Sequence, residues 1–124
     1  MIEEFKNMIG RSMTQVEGKV GDERLVFHAY DGSEFVFWYD HDCCASCNIN
    51  DIAGELSDLV GSPILQAQLV SSDQNTDPPP EYPDSWTWSF YKFRTMKGDV
   101  TVRWLGESNG YYSETVTYSE TLAK

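Results

Sequence analysis

The feature that most constrains the fold of this chain is a pair of apolar runs joined by Asp31-Gly32. The runs, residues 24–30 and 33–39, are rich in aromatic and β-branched side chains. Asp-Gly between such runs favours a type I′ turn, because both turn positions need positive φ. A two-residue loop there pairs Val26 with Phe37. Both faces of the predicted hairpin are then largely apolar, which indicates a central place in a sheet covered on both sides.

A second predicted hairpin runs from Trp86 to Leu105 and turns at Lys97-Gly98. Alternation along its strands places an ordinary core set on one face: Tyr91, Phe93, Val100, Val102 and Trp104. The other face, named the basic face from here on, carries Trp86, Trp88, Phe90, Lys92, Arg94, Thr101, Arg103 and Leu105. This turn sets Lys92 directly opposite Arg103. Like charges that face each other destabilise a sheet, so the basic face calls for a functional reason.

Helical periodicity and chain length complete the predicted architecture. One apolar stripe with a capping Asn50 predicts a helix over residues 50–60, and residues 1–10 predict a short N-terminal helix. The proline-rich stretch 71–85 predicts a flexible surface loop. A length of 124 residues suits a single domain, residues 1–124. We therefore predict an α+β fold, in which a twisted, mainly antiparallel sheet of hairpins is accompanied by these two helices.

Net charge limits the class of partner. Twenty acidic and nine basic residues give a net charge of −11, which argues against binding DNA, RNA or an anionic membrane. A local basic pocket can still hold a small anion, because the field at a site depends on nearby groups. The sequence has neither a secretory leader pattern nor an apolar run long enough to cross a membrane. We expect a cytoplasmic protein with no DNA or membrane partner.

The basic face is the strongest candidate for a binding site. Four of the nine basic residues fall between Lys92 and Arg103. Rings that can stack on a base, beside Arg and Lys that can hold phosphate, are the minimum chemistry of a nucleotide site. The candidate contacts are Trp88, Phe90, Lys92 and Arg103. The alternative is that these cations pair with surface acids while the rings cover a helix, and a one-residue slip in register would invert both faces.

The segment after this hairpin, residues 106–114, adds polar candidates. Gly106 and Gly110 allow backbone conformations closed to other residues, and exposed N–H groups in such a turn can cradle a polar ligand. The candidate contacts are Ser108, Asn109, Tyr111 and Tyr112. The alternative is a plain turn before a strand, and the pattern matches neither a P-loop nor a Rossmann fingerprint.

Clustered cysteines offer a metal or redox alternative. Cys43, Cys44 and Cys47 lie close together, and His28 and His41 can add ligands. A structural zinc site usually brings two paired ligand sets, whereas this chain has one, and the strand-to-helix context of a redox motif is missing. We expect buried thiols, no metal, no cofactor and no catalytic residues. An enzyme built on a Cys–His pair stays open as an alternative.

Four stretches of the sequence resemble a known family: His-Asp-Cys-Cys at 41–44, Asn-Asp-Ile-Ala-Gly-Glu-Leu at 50–56, Trp-Ser-Phe-Tyr-Lys-Phe at 88–93, and Val-Arg-Trp-Leu-Gly-Glu-Ser-Asn-Gly-Tyr-Tyr-Ser-Glu at 102–114. Together they resemble the first described family of phage Thoeris anti-defence proteins. The resemblance spans about residues 25–118.

This resemblance implies a sponge for a signalling nucleotide. Members bind the cyclic ADP-ribose isomers made by TIR-domain immune sensors, among them glycocyclic ADP-ribose, and hold them without cleavage. They form dimers that assemble into hexamers, and some also sequester cyclic oligonucleotides. The implied contacts are Trp88 or Phe90 for adenine, Arg103 for the pyrophosphate, and Asn109 with Tyr112. The alternatives are an enzyme that degrades a cyclic nucleotide through the Cys/His cluster, and an acidic phage protein that blocks a host factor.

Overall fold

The computed structural model describes residues 5–40, 45–74, 84–109 and 114–123, with side chains described to residue 70 in the second range. These residues form eight strands: β1 (Met13–Glu17), β2 (Arg24–Ala29), β3 (Glu34–Trp38), β4 (Ser46–Ala53), β5 (Gln66–Gln74), β6 (Ser85–Thr95), β7 (Gly98–Ser108) and β8 (Thr117–Thr121). Two four-stranded sheets result, in the orders β1-β2-β3-β8 and β4-β7-β6-β5. Every strand pair is antiparallel. The predicted antiparallel pairing is confirmed, but it forms two sheets where a single sheet was predicted.

The predicted helix over residues 50–60 is wrong. β4 pairs with β7 as far as Ala53, and only Leu56–Leu59 form a single 3-10 turn. Gly54 separates the two with φ of +108°, a left-handed conformation that no α-helix contains. Part of the apolar stripe still contacts the core, because the partly buried Ile52 packs against it from a strand and the buried Leu59 from the turn.

Two other predicted segments also differ from the structure. The N-terminal helix is reduced, within the described residues, to the 3-10 turn Lys6–Met8, which buries Phe5 and Met8 against the core. The described part of the chain is therefore β-rich with little helix. Of the predicted loop over residues 71–85, both ends lie in strands, because β5 continues to Gln74 and β6 begins at Ser85. Residues 75–83 of that loop lie outside the described residues.

The first hairpin turns where predicted, but through the three residues 30–32. Leu25 therefore pairs with Phe37, in place of the predicted Val26. The third loop residue is a glycine with φ of +92°, as a three-residue hairpin loop requires. This one-residue change places Phe27 on the same buried face as Phe35 and Phe37, whereas Trp38 lies on the half-exposed outer face. The central position of β2 and β3 is confirmed, whereas the outer face of β3 is half-exposed.

The second hairpin turns at Met96-Lys97, since Thr95 pairs with Gly98. Its register differs from the predicted one by two residues, which leaves every side chain on its predicted face. The core set is confirmed, and all five of its members are buried. The predicted pairing of Lys92 with Arg103 is wrong: Arg103 faces Phe90, and Lys92 faces a threonine. The sheet thus avoids opposing two cations.

Aromatic rings from both sheets meet in the space between them. Phe93 of β6 lies 4.8 Å from Phe27 of β2 and 5.5 Å from Phe37 of β3, measured between ring centroids. Phe37 also lies 5.2 Å from Tyr91. These tilted and edge-on arrangements are the ones that aromatic pairs prefer. The contacts hold the two sheets face to face and leave the basic face on the outside of the second sheet.

Replacing Asp31 with Asn should destabilise the protein more at pH 7 than at pH 3. The Asp31 carboxylate accepts hydrogen bonds from the Ser33 backbone N–H (2.8 Å) and from Nε of Arg11 (3.0 Å). The bonds from Ser33, together with Arg11, lower the pKa of Asp31 below its usual 3.8. A lowered folded-state pKa adds stability above the unfolded value, and that stability is lost as the pH falls through the folded value. Urea denaturation at both pH values tests this, and equal losses would contradict it.

Candidate functional site

The outer face of the second sheet brings four of the predicted site residues together. Trp88, Phe90 and Lys92 alternate along β6, and Arg103 lies opposite Phe90 on β7. All four side chains are half-buried. Rings and cations therefore adjoin on this face. The structure therefore assembles the basic face from two neighbouring strands, as the alternation predicted.

Arg103 is the most tightly oriented cation of this face. Its guanidinium carbon lies 4.8 Å from the centroid of the Trp88 ring, within the range of a cation–π contact. Its Nε and Nη2 both donate to Oδ1 of Asn50, at 2.9 and 2.5 Å. Within the described ranges, no acceptor bonds to Nη1. The ring and the amide thus fix the guanidinium and leave one arm for an anionic ligand.

Asn50 reaches Arg103 because β4 is irregular at this point. The register of β4 on β7 shifts between Ile49 and Asp51, which makes Asn50 the extra residue of a β-bulge. A bulge re-aims the side chain of the residue that it inserts. The sequence predicted a helix cap at Asn50 and missed this role. No local pattern marks the bulge, so only the pairing with β7 reveals it.

The other cations of this face have acidic neighbours. Nζ of Lys92 and Nε of Arg94 each lie 3.9 Å from the Asp99 carboxylate. Such long, exposed ion pairs contribute little. By contrast, the contacts that the structure gives Arg103 among its described residues are to an amide and a ring. Pairing with surface acids therefore accounts for Lys92 and Arg94 better than for Arg103.

The polar candidates at the end of β7 and beyond it are placed differently. Ser108 is buried and faces the inner side of the sheet, away from Arg103. Asn109 follows directly and is exposed. Tyr111 and Tyr112 lie outside the described residues. The alternation along β7 already indicated the side of Ser108, because it shares a face with Trp104 and not with Arg103.

Ser108 belongs to a buried polar cluster around Glu114. One carboxylate oxygen of Glu114 accepts from the Thr87 hydroxyl at 2.7 Å, and the other accepts from the Ser108 hydroxyl. The backbone of Glu114 passes over Gly106, where an added Cβ would lie 1.8 Å from the Glu114 carbonyl oxygen. Gly106 is not among the glycines with positive φ. The reason for glycine here is space, not the backbone freedom that the sequence suggested.

Replacing Gly106 with Ala should destabilise the protein by about 3 kcal/mol, at the upper end for overpacking, because the obstructing atom is backbone. Gly10 is the matched control, since a Cβ there meets nothing within 4 Å and φ is +87°. Gly10→Ala carries only the left-handed backbone cost of about 1–2 kcal/mol. Urea denaturation compares the two variants. A Gly106→Ala loss no larger than that of Gly10→Ala would refute the proposed close approach.

Comparison with protein families identifies the group to which the sequence belongs. The model of a family described as "Domain of unknown function (DUF7448)" matches residues 6–118. The chain belongs to this DUF7448 family. The match includes the whole basic face and the Glu114 cluster. No curated protein and no solved structure matches the chain.

Cys47 and His28 are the members of the predicted Cys/His cluster that lie within the described residues. Cys47 is buried, and burial, together with the nearby Glu23 and Glu114 charges, raises the pKa of its thiol to about 12. His28 lies on the outer face of the first sheet, with glutamates on both ring nitrogens. The described part of the chain has no group of three or more side chains able to hold a metal, and residues 41–44 lie outside it. For Cys47 the predicted buried thiol is confirmed.

Cys47 should resist alkylation in the folded protein. The Cys43→Ser/Cys44→Ser double variant leaves it as the only thiol in the chain. Because the thiolate is the reactive form, a thiol with a pKa of about 12 should stay unmodified by iodoacetamide at pH 8. Intact-mass spectrometry checks this, with the urea-unfolded protein as the reactive control. Modification of the folded form as fast as the unfolded form would contradict the burial of this thiol.

In the described residues no helix has the length and apolar character needed to cross a membrane.

Proposed function

We propose that this DUF7448 protein is a non-catalytic sponge that binds and holds cyclic ADP-ribose isomers. These isomers, among them glycocyclic ADP-ribose, are signals made by TIR-domain immune sensors. We propose that the protein binds them in the cytoplasm of the host bacterium. The observation that carries the proposal is the Arg103 guanidinium. It is stacked on Trp88 and held by Asn50, with Nη1 facing no acceptor among the described residues.

The chemistry of such a ligand suits the basic face. A cyclic ADP-ribose isomer presents an adenine ring and a pyrophosphate. The half-buried ring of Phe90, opposite Arg103 on the neighbouring strand, offers a surface for stacking a base. The free arm of Arg103 can form charge-assisted hydrogen bonds with a phosphate oxygen. Lys92, two residues along β6 from Phe90, adds a second positive charge. Base stacking and anion binding are thus available side by side.

Sequestration agrees better with these groups than catalysis does. A sponge needs affinity and slow release, whereas an enzyme must stabilise a transition state. The basic face supplies rings and cations, which bind without reacting. The buried Cys47 thiol, with its raised pKa, is a poor nucleophile. Because the chain resembles the phage Thoeris anti-defence family, we also propose that it forms a homo-oligomer in which dimers assemble into hexamers. By the same resemblance, it can bind cyclic oligonucleotides.

Arg103→Ala should lose the ligand while the fold stays intact. Losing a charge-assisted hydrogen bond costs about 1.5–3 kcal/mol, which weakens binding about 10- to 150-fold. The assay incubates the protein with purified cyclic ADP-ribose isomers, removes free ligand, denatures the protein and measures the released molecule by mass spectrometry. Arg94→Ala is the matched control, because Arg94 is exposed on the same face and near the hairpin turn.

The outcomes separate the candidate functions. Intact ligand from the wild-type protein and from Arg94→Ala, with little from Arg103→Ala, supports the sponge. A cleaved or linearised product would support an enzyme instead. No retention by the wild-type protein would count against both and favour an acidic protein that blocks a host factor. Equal retention by Arg103→Ala and the wild-type protein would place the site elsewhere.

A further inference from the structure

A buried carboxylate lies beneath the end of the basic face. Glu114 is 6% exposed, and its hydroxyl partners Thr87 and Ser108 are 1% and 7% exposed. Charged carboxylates are almost never buried this deeply unless they are paired. The partners of Glu114 are two hydroxyl groups, each of which donates a hydrogen bond to one oxygen of the carboxylate.

The cluster of Glu114, Thr87 and Ser108 joins the two strands that carry the basic face. Thr87 belongs to β6 and Ser108 to β7, so the Glu114 carboxylate links the two strands in addition to their backbone hydrogen bonds. The inner face of β6 changes here from the rings of Phe93 and Tyr91 to hydroxyl side chains. Aromatic packing against the first sheet therefore gives way to the Glu114 hydrogen bonds at this end of the hairpin.

Directly above this link lie two rings of the basic face. Trp86 and Trp88 flank Thr87 along β6 and point to the opposite side of the sheet. Nε1 of Trp86 is buried and has no hydrogen-bond partner in the described ranges, so this indole is held by packing and by the strand beneath it. Trp88 in turn supports the guanidinium of Arg103. A shift of the backbone at Thr87 would therefore move both rings and, through Trp88, the cation.

We propose that Glu114 is a positioning residue for the basic face. From the inner side of the sheet, its hydrogen bonds to Thr87 and Ser108 fix the strand ends that carry Trp86 and Trp88, and through Trp88 they fix Arg103. The effect on ligand release rests on the proposed function. The effect on the two indoles does not, because it is a property of the protein without ligand.

Three variants and one control test this proposal. Glu114→Ala removes both hydrogen bonds, and Thr87→Val removes one of them with little change in shape. Glu114→Gln can still accept from Thr87 and can donate to Ser108. The control is Thr95→Val: Thr95 is 2% exposed and lies at the other end of β6. Its hydroxyl donates to the Asp58 carbonyl oxygen and accepts from the Lys97 backbone N–H.

Two readouts are used on the full-length protein. The first is the set of indole N–H resonances in ¹H–¹⁵N spectra, assigned by tryptophan replacement. Glu114→Ala and Thr87→Val should shift the resonances of Trp86 and Trp88, whereas Thr95→Val and Glu114→Gln should leave both in place. The second is the release of a bound cyclic ADP-ribose isomer, which Thr87→Val should accelerate about five- to tenfold, the size expected for one hydrogen bond. The urea midpoint of Thr95→Val, which loses two hydrogen bonds, should fall at least as far as that of Thr87→Val, which loses one.

The outcomes are decisive with or without a ligand. If Thr95→Val moves the Trp86 and Trp88 resonances as far as Thr87→Val does, general loosening explains the effect and the proposal fails. It also fails if Glu114→Gln shifts them as far as Glu114→Ala. If Glu114→Ala does not fold, Thr87→Val carries the test. When the wild-type protein retains no nucleotide, the sponge is wrong and the resonances still decide the role of Glu114. When the wild-type protein retains ligand and Thr87→Val releases it no faster, the sponge stands and the proposed effect of Glu114 on ligand release is wrong.

Discussion

The structure depends on Phe93 packing against Phe27 and Phe37 between the two sheets. These rings must face inward, and side chains on a strand alternate between faces. Burying Phe93 and Tyr91 therefore commits Phe90 and Lys92 to the outside of the same strand. The basic face is thus a direct consequence of how the core is packed. The proposed ligand site is therefore carried by two hydrogen-bonded strands, which favours preorganised binding.

The same alternation explains which sequence predictions succeeded. The second hairpin was predicted with its turn one position late, which changes the pairing by two residues and preserves both faces. The composition of the basic face was therefore correct although its pairs were not. The first hairpin was predicted with a two-residue loop in place of residues 30–32. That difference changes the pairing by one, so Val26 and Phe37 were predicted on the same face and lie on opposite faces. A pairing shifted by one residue exchanges the two faces of a strand, whereas a pairing shifted by two residues leaves every side chain on its own face.

Other features depend on contacts between distant parts of the chain, and no local pattern encodes them. The apolar stripe at 50–60 matched a helical period, yet its pairing with β7 and the left-handed Gly54 give a strand and a turn. Asn50 reaches Arg103 only because that strand carries a bulge. Glu114 reaches Thr87 across the hairpin that separates them in sequence. Tertiary context overrides local propensity in each case, and in each case it affects the candidate site.

The charge of the chain bears on how the proposed sponge would work. A net charge of −11 repels an anionic nucleotide at long range, so electrostatic steering cannot speed its capture. Attraction must then arise within a few ångströms of the sheet, where the guanidinium of Arg103 lies against Trp88 and forms no ion pair with a carboxylate of the described residues. Affinity gained only at contact lowers the rate of release more than it raises the rate of association. For a protein that must hold a signal, slow release is the more useful of the two.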